Sequence, residues 1–229
     1  MIVGAGANIT VQIGRDGVLI VDSGSGAAMN EKVRNLVRQL STKSTGYVVN
    51  TNSRSDHTGG NDIFADTASF IAWPFQTYRS GHEDLYFNNE SIQVLHVPAG
   101  VTGGDSMVYF RRSDVVAAGD IFQTTTYPLI DVKGGGSING LIAGLNQLLD
   151  ITIPKEKQEG GTLVIPGHGR ISDEADVVEY RDMVTIVCDR VQDAIRQGKT
   201  LEQVQAARLT RDYDPRYGAS TGPWTTEMF

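Results

Sequence analysis

Several residues with chemical potential stand directly behind apolar segments of the chain. Asp56 and His57 lie in VVNTNSRSDHTGGN, Asp105 follows Gly103-Gly104, Asp120 follows VVAAG, and His168 closes VIPGH. Loops at strand ends hold side chains on a stiff scaffold, which is where metal ligands and bases are usefully placed. The imidazoles of His57 and His168 with the carboxylates of Asp56 and Asp120 make a nitrogen and oxygen donor set suited to zinc, iron or manganese. Asp56 and Asp120 are also the candidate catalytic carboxylates, since an unligated one could orient or deprotonate water. The four are separated by 1, 63 and 48 residues, which matches no compact metal-binding pattern. Spacing alone therefore leaves a second reading open, with both aspartates capping turns and His168 a hydrogen-bonded turn residue.

Other polar residues carry weaker signals. His82 sits among Tyr78, Arg79, Tyr86 and Phe87 in a stretch, Pro74 to Glu90, that shows no clear period. That stretch reads as a mobile loop over a site, with His82 as a candidate substrate-binding residue. His96 in IQVLHV reads as structural, and Trp73 as a packing residue. Lys133 with Gly134-Gly135-Gly136 lacks the arrangement of a phosphate loop, and GAGAN at 4–8 precedes a strand rather than opening a helix. Cys188, the single cysteine, lies in an apolar helical stripe and reads as an inert thiol; it excludes an internal disulfide.

The elements that must position these residues are short. Residues 8–13 and 18–22 read as strands about the turn Gly14-Arg15-Asp16-Gly17, with Asp-Gly supplying the turn chemistry. A helix is predicted at 27–40, with Val33, Leu36, Val37 and Leu40 along one face. Strands follow at 47–50, 68–72, 92–97, 107–110, 115–118 and 162–165, with a short helix around Ile63 and Phe64. A helix near 137–149 presents Ile138, Leu141, Ile142, Leu145 and Leu149. A longer one starts behind Ser172 and carries Val177, Tyr180, Val184, Val187, Val191 and Ile195. Thr200 and Gln203 fit a capping box, and 211–229 reads as extended chain. The order predicts one sheet-rich layered domain over residues 1–229.

Composition narrows the function. Against 27 acidic residues stand 20 Lys and Arg, a net charge of −7, which argues against broad contact with nucleic acid or an anionic membrane. No apolar run reaches the length of a membrane span, and MIVGAGANIT is unlike a secretory leader. The expectation is a cytoplasmic protein, unless a leader has been removed, with a small-molecule substrate or ligand; a homodimer is admissible.

Five segments, taken in order, resemble the metallo-beta-lactamase-fold hydrolase superfamily: GANITVQIGRDGVLIVDSG, VVNTNSRSDHTGGN, VTGGDSMVYF, VVAAGDIF and VIPGHG. The resemblance implies an α+β fold, a four-layer αβ/βα sandwich of two facing mixed sheets with outer helices, here short at both ends relative to the family. It also implies a second metal site at Asp56, His57 and His168, with Asp120 at the bridging position. The three histidines of the family's first site are replaced by Asn52, Arg54 and Val101. Val101 cannot coordinate, Arg54 stays protonated, and Asn52 is a weak donor at best. The implied protein is a degenerate, mononuclear metal-dependent hydrolase of a small ester, thioester or lactam. One divalent ion is expected, zinc before iron or manganese, or no metal at all in an inactive protein with a binding or structural role. Arg54 is then either a substrate-binding guanidinium for a carboxylate or phosphate, or the partner of Asp56 or Asp120 in a closed pocket. Asp105 matches the family's Gly-Asp-Ser segment and is read as a rim group, not a ligand.

Overall fold

Strand alternation in the opening hairpin already separates two cores. The computed structural model describes residues 1–72, 81–157, 160–222 and 224–229. Strand β1 (Thr10–Ile13) pairs antiparallel with β2 (Val18–Val21), all four residues of which are buried. Successive side chains on a strand point to opposite faces. Leu19 and Val21 therefore enter one core with Val49, while Val18 and Ile20 enter another with Val33, Val37 and Val48. Strands β3 (Thr45–Asn50) and β4 (Ser69–Ala72) add in parallel, giving a four-stranded sheet in the order β1-β2-β3-β4. Helix α1 (Ala27–Leu40) covers its outer face with Val33 and Val37, while Leu36 and Leu40 are exposed, so the buried stripe is narrower than its periodicity suggests.

The second sheet has five strands in chain order: β5 (His82–Phe87), β6 (Glu90–Val97), β7 (Asp105–Phe110), β8 (Val115–Gln123) and β9 (Leu163–His168). The last pair is parallel and the others antiparallel. Its inner face contributes Phe87, Ile92, Val94, Val108, Phe110 and Ala117 to the core shared with Leu19, Val21 and Val49. Its outer face buries Met107, Val116 and Val164 against α3 (Ile138–Ile151) and α4 (Glu174–Arg196). Leu141, Leu145 and Leu148 recur on one face of α3 and are fully buried. Truncating one such leucine to alanine costs about 2–5 kcal/mol. Helix, sheet, sheet and helix thus form the predicted four layers. No helix among the described residues is long and apolar enough to cross a membrane.

Several expectations need correction. The presumed loop from Pro74 to Glu90 is partly strand: β5 pairs with β6 from His82↔Leu95 to Phe87↔Glu90. Asn88 and Asn89 both take positive φ (52° and 64°), as a tight two-residue hairpin requires. That pair was the missed signal. Trp73, Pro74, Tyr78 and Arg79 lie outside the described residues. Helix α4 is capped by Asp173, not Ser172, in a reciprocal pair with Asp176. Thr200 and Gln203 do form the capping box of α5 (Leu201–Ala206). The tail includes a short helix, α6 (Asp214–Tyr217), with buried Tyr217.

Candidate metal centre

The centre forms where chain ends of both sheets meet. Asp22 follows β2, Thr51 follows β3, Asp56 and His57 belong to the short α2 (Ser55–Thr58), and His168 ends β9. Asp120 lies inside β8 rather than behind it, at an irregularity between Gly119 and Gln123. Gly119 has φ +54°, and a Cβ there would lie 2.6 Å from the Thr51 side chain, so glycine lets β8 approach the β3 loop.

His57 is completely buried, and its two ring nitrogens face different partners. Nδ1 lies 2.9 Å from Asp22 Oδ2 and 3.0 Å from Thr51 Oγ1. Thr51 donates both its backbone N–H and its hydroxyl to Asp22, each at 2.8 Å. Asp22 thus accepts the Nδ1 proton, and Nε2 is turned toward the cluster. Asp22 adopts φ 61°, a conformation aspartate tolerates better than most residues, and the two bonds from Thr51 hold it there. Sequence reading missed Asp22. Its signal was an acidic residue closing the apolar strand VLIV ahead of Ser-Gly.

The donor atoms of Asp56, His57 and His168 all lie within 4.8 Å of one another. His168 Nε2 is 3.2 Å from Asp56 Oδ2, and His57 Nε2 is 3.9 Å from the same oxygen. Asp120 approaches the two imidazoles with separate oxygens, Oδ2 at 3.1 Å from His57 Nε2 and Oδ1 at 3.5 Å from His168 Nε2. The structure therefore brings Asp56, His57, Asp120 and His168 together.

Electrostatics follow from burial and these partners. Burial presses His57 toward its neutral form, but the charges of Asp22 and Asp120 outweigh it and hold the pKa well above the usual histidine range. Burial opposes ionisation of Asp120, yet His57, His168 and Arg54 together hold it well below the usual carboxylate range. The hydrogen bond from His168 lowers the pKa of Asp56. Asp105, 1% exposed, is pushed up to about 6 chiefly by burial, although Thr102 N–H donates to it at 2.5 Å.

The residues fit one metal ion. The buried atoms His57 Nε2 and Asp120 Oδ1 have no hydrogen-bond partner among the described residues, although both point into a set of two nitrogens and two carboxylates. Unsatisfied buried polar atoms cost about 1–3 kcal/mol each, and a cation would engage both. The neighbouring positions do not fit a second ion. Val101 is fully buried in the apolar core, and Asn52 Oδ1 accepts the Arg54 backbone N–H at 2.9 Å. Arg54 Nη1 donates to Asp120 Oδ2 at 3.2 Å, while Asn52 Nδ2 lies 3.4 Å from the same oxygen.

Above the cluster lies a cleft of about 210 Å³, lined by Arg54, Asp56, Val101, Asp120, Leu129 and His168 among others. That is below the roughly 300–1,000 Å³ of sites for drug-sized ligands, so the cleft suits a small reacting group. A larger cavity of about 900 Å³, lined by Val187, Val191, Leu201, Leu209 and Phe229 among others, includes none of the candidate ligands. His82 is not brought to the cleft. It opens the edge strand β5, 44% exposed, with Nε2 3.4 Å from Asp84 Oδ2.

Two facing mixed sheets with outer helices and a histidine-aspartate cluster at their edge define the metallo-beta-lactamase fold. Solved structures of that type confirm it. The stereoselective inverting sec-alkylsulfatase Pisa1 from Pseudomonas sp. superposes over 98% of this chain at 13% identity and a TM-score of 0.74. This chain spans only 44% of that enzyme's length. A metallo-beta-lactamase from Pontibacter korlensis matches 76% of this chain and 85% of its own, at 13% identity and a TM-score of 0.62. The B3 metallo-beta-lactamase BLEG-1 matches 79% and 95%, at 17% identity and a TM-score of 0.61. No protein-family profile and no curated protein sequence matches the chain.

Proposed function

We propose that this chain is a hydrolase of a small ester, thioester or lactam that works with one divalent metal. The observation that carries the reading is the convergence of Asp56 Oδ2, His57 Nε2 and His168 Nε2, beside an Asp120 oxygen that has no hydrogen-bond partner among the described residues. Asp56, His57, Asp120 and His168 would hold the ion, with zinc preferred by donor type over iron or manganese. Such an ion lowers the pKa of water from about 15.7 toward 7 and polarises a carbonyl oxygen.

The chain's own groups supply the rest. Asp22 keeps the Nδ1 proton of His57 in place, so that Nε2 is the free donor. Asp56, one-third exposed in the cleft wall, would orient that water through the carboxylate oxygen it does not give to the ion. Arg54, 27% exposed, can bind an anionic group of the substrate, while Val101 and Leu129 supply an apolar wall. The domain spans 1–229, and the net charge of −7 favours a small-molecule partner over nucleic acid. A cytoplasmic setting and a homodimer belong to the same proposal.

The ion pair between Arg54 and Asp120 favours a second reading, a metal-free protein with a binding or structural role. Elemental analysis of untagged protein, followed by assays with and without chelator, separates the two. The compounds assayed are simple esters, acyl thioesters and lactams, and the likeness to a sec-alkylsulfatase adds secondary alkyl sulfates. One metal per chain and chelator-sensitive turnover are expected. Two tightly held metals would overturn the single-ion reading; protein that stays metal-free in excess zinc, iron and manganese would establish the second.

A further inference from the structure

We infer that Asn8 is a positioning residue of the candidate metal centre, setting the distance between Asp56 and His168; the inference rests on the metal reading above. Asn8 is 7% exposed and far from His168 in sequence. Its side-chain Nδ2 donates to Pro166 O at 2.9 Å and to Gly169 O at 3.0 Å, and its backbone N–H donates to Gly167 O at 2.8 Å. Three carbonyls around His168 therefore end on one residue. A carboxamide has two N–H donors, and both are spent on this turn. The preceding residue, Ala7, donates its backbone N–H to Asp56 O at 3.1 Å. Two consecutive residues thus tie together the segments that carry the two partly exposed ligands, whose donor atoms lie 3.2 Å apart.

The turn needs this brace because its own sequence makes it pliable. Gly169 takes φ +110°, and a Cβ on Gly167 would lie 2.4 Å from Asp120 Oδ1. Close packing against Asp120 thus demands glycine, and glycine gives up side-chain contacts that would otherwise hold His168. Asn8 supplies the missing constraint from across the molecule. Its side-chain bonds reach this turn and none of the apolar cores, so its loss should loosen the centre more than the fold.

The test uses the full chain and zinc alone, with affinity read by competition against a chromophoric chelator. Outer groups that hold ligands typically contribute about 10–100-fold to metal affinity, so Asn8→Ala should weaken zinc binding at least about tenfold. Asn8→Asp should do no better, because a carboxylate would face two carbonyl oxygens. A control removes a buried hydrogen-bonding hydroxyl elsewhere. Thr162, fully buried, donates to Asp114 at 2.9 Å and accepts from Ile153 N–H at 2.8 Å. Thr162→Val should lower the melting temperature yet bind zinc within about twofold of wild type, as expected for a group remote from the ligands. Zinc binding by Asn8→Ala within that same margin overturns the role of Asn8 while leaving the metal reading intact. Wild-type protein that takes up no zinc overturns the metal reading and the role together. Should Asn8→Ala fail to fold, the wild-type Asn8 side-chain NH₂ resonances give the answer: slower hydrogen exchange on zinc saturation supports the role, and unchanged exchange overturns it.

Discussion

Asp120 and Asp105 are both buried, 4% and 1% exposed, yet the structure treats them oppositely. Asp120 sits among His57, His168 and Arg54, which hold it ionised despite burial. Asp105 lies on the Val101 side, bonded to the Thr102 backbone, where the pull of His57 is too weak to offset burial, and is pushed up to about 6. Desolvation acts on both, so the difference is made by cationic neighbours. The lesson extends to the whole centre. One half concentrates the donors Asp56, His57, Asp120 and His168, while the half with Asn52, Arg54 and Val101 offers no imidazole and carries one permanent cation. On the function proposed above, such a site would hold one exchangeable ion.

Four experiments test this contrast. The largest effect is expected for His168→Ala, which removes a ligand from the retained half. Metal affinity should fall by more than about 100-fold and chelator-sensitive turnover should vanish, while the metal-free melting temperature changes little because His168 is one-third exposed. A variant that keeps full metal affinity would show that the two halves do not differ as argued.

Asp105→Asn tests the other half. A carboxyl whose folded pKa is about 6, above an unfolded value near 3.9, contributes stability that is complete below about pH 4 and lost as the pH rises through 6. The asparagine variant should therefore gain on wild type by about 2–3 kcal/mol between pH 4 and pH 7. Denaturant titrations across that range would show it, and parallel pH profiles would mean that Asp105 is already ionised at pH 5.

Asp22→Asn removes the charge behind His57 while keeping the side-chain size. Zinc affinity should drop about 10–100-fold, with the loss seen in chelator competition. Affinity within error of wild type would show that Thr51 alone orients the ring. The smallest effect is expected from Arg54→Ala. Asp120 keeps His57 at 3.1 Å and Asn52 at 3.4 Å, so the metal-free protein should lose about 1–2 kcal/mol, between the values for exposed and buried pairs. With metal bound, the variant should raise KM for an anionic substrate more than it lowers kcat. A loss well above 3 kcal/mol, with no response to metal, would favour the closed metal-free pocket.

Much of the layered fold was legible along the chain, because period and turn chemistry act over a few residues. The helix faces of α3 and α4 and the Asp16-Gly17 turn could be read that way. The β5 strand was harder, since a solvent-facing edge carrying His82, Glu83 and Asp84 looks like a loop. Asp56, His57, Asp120 and His168 were legible as donor types, and their ordered segments resembled a known fold. Residue types in order thus show which atoms could bind a metal and which three positions could not. Tertiary structure alone decided that Asp22 holds His57, that Arg54 turns to Asp120, and that Asn8 braces His168. Those contacts join residues 35, 66 and up to 161 positions apart. Separations near 3 Å between such distant residues are set by how two sheets pack and where their strands end, and no local propensity encodes them.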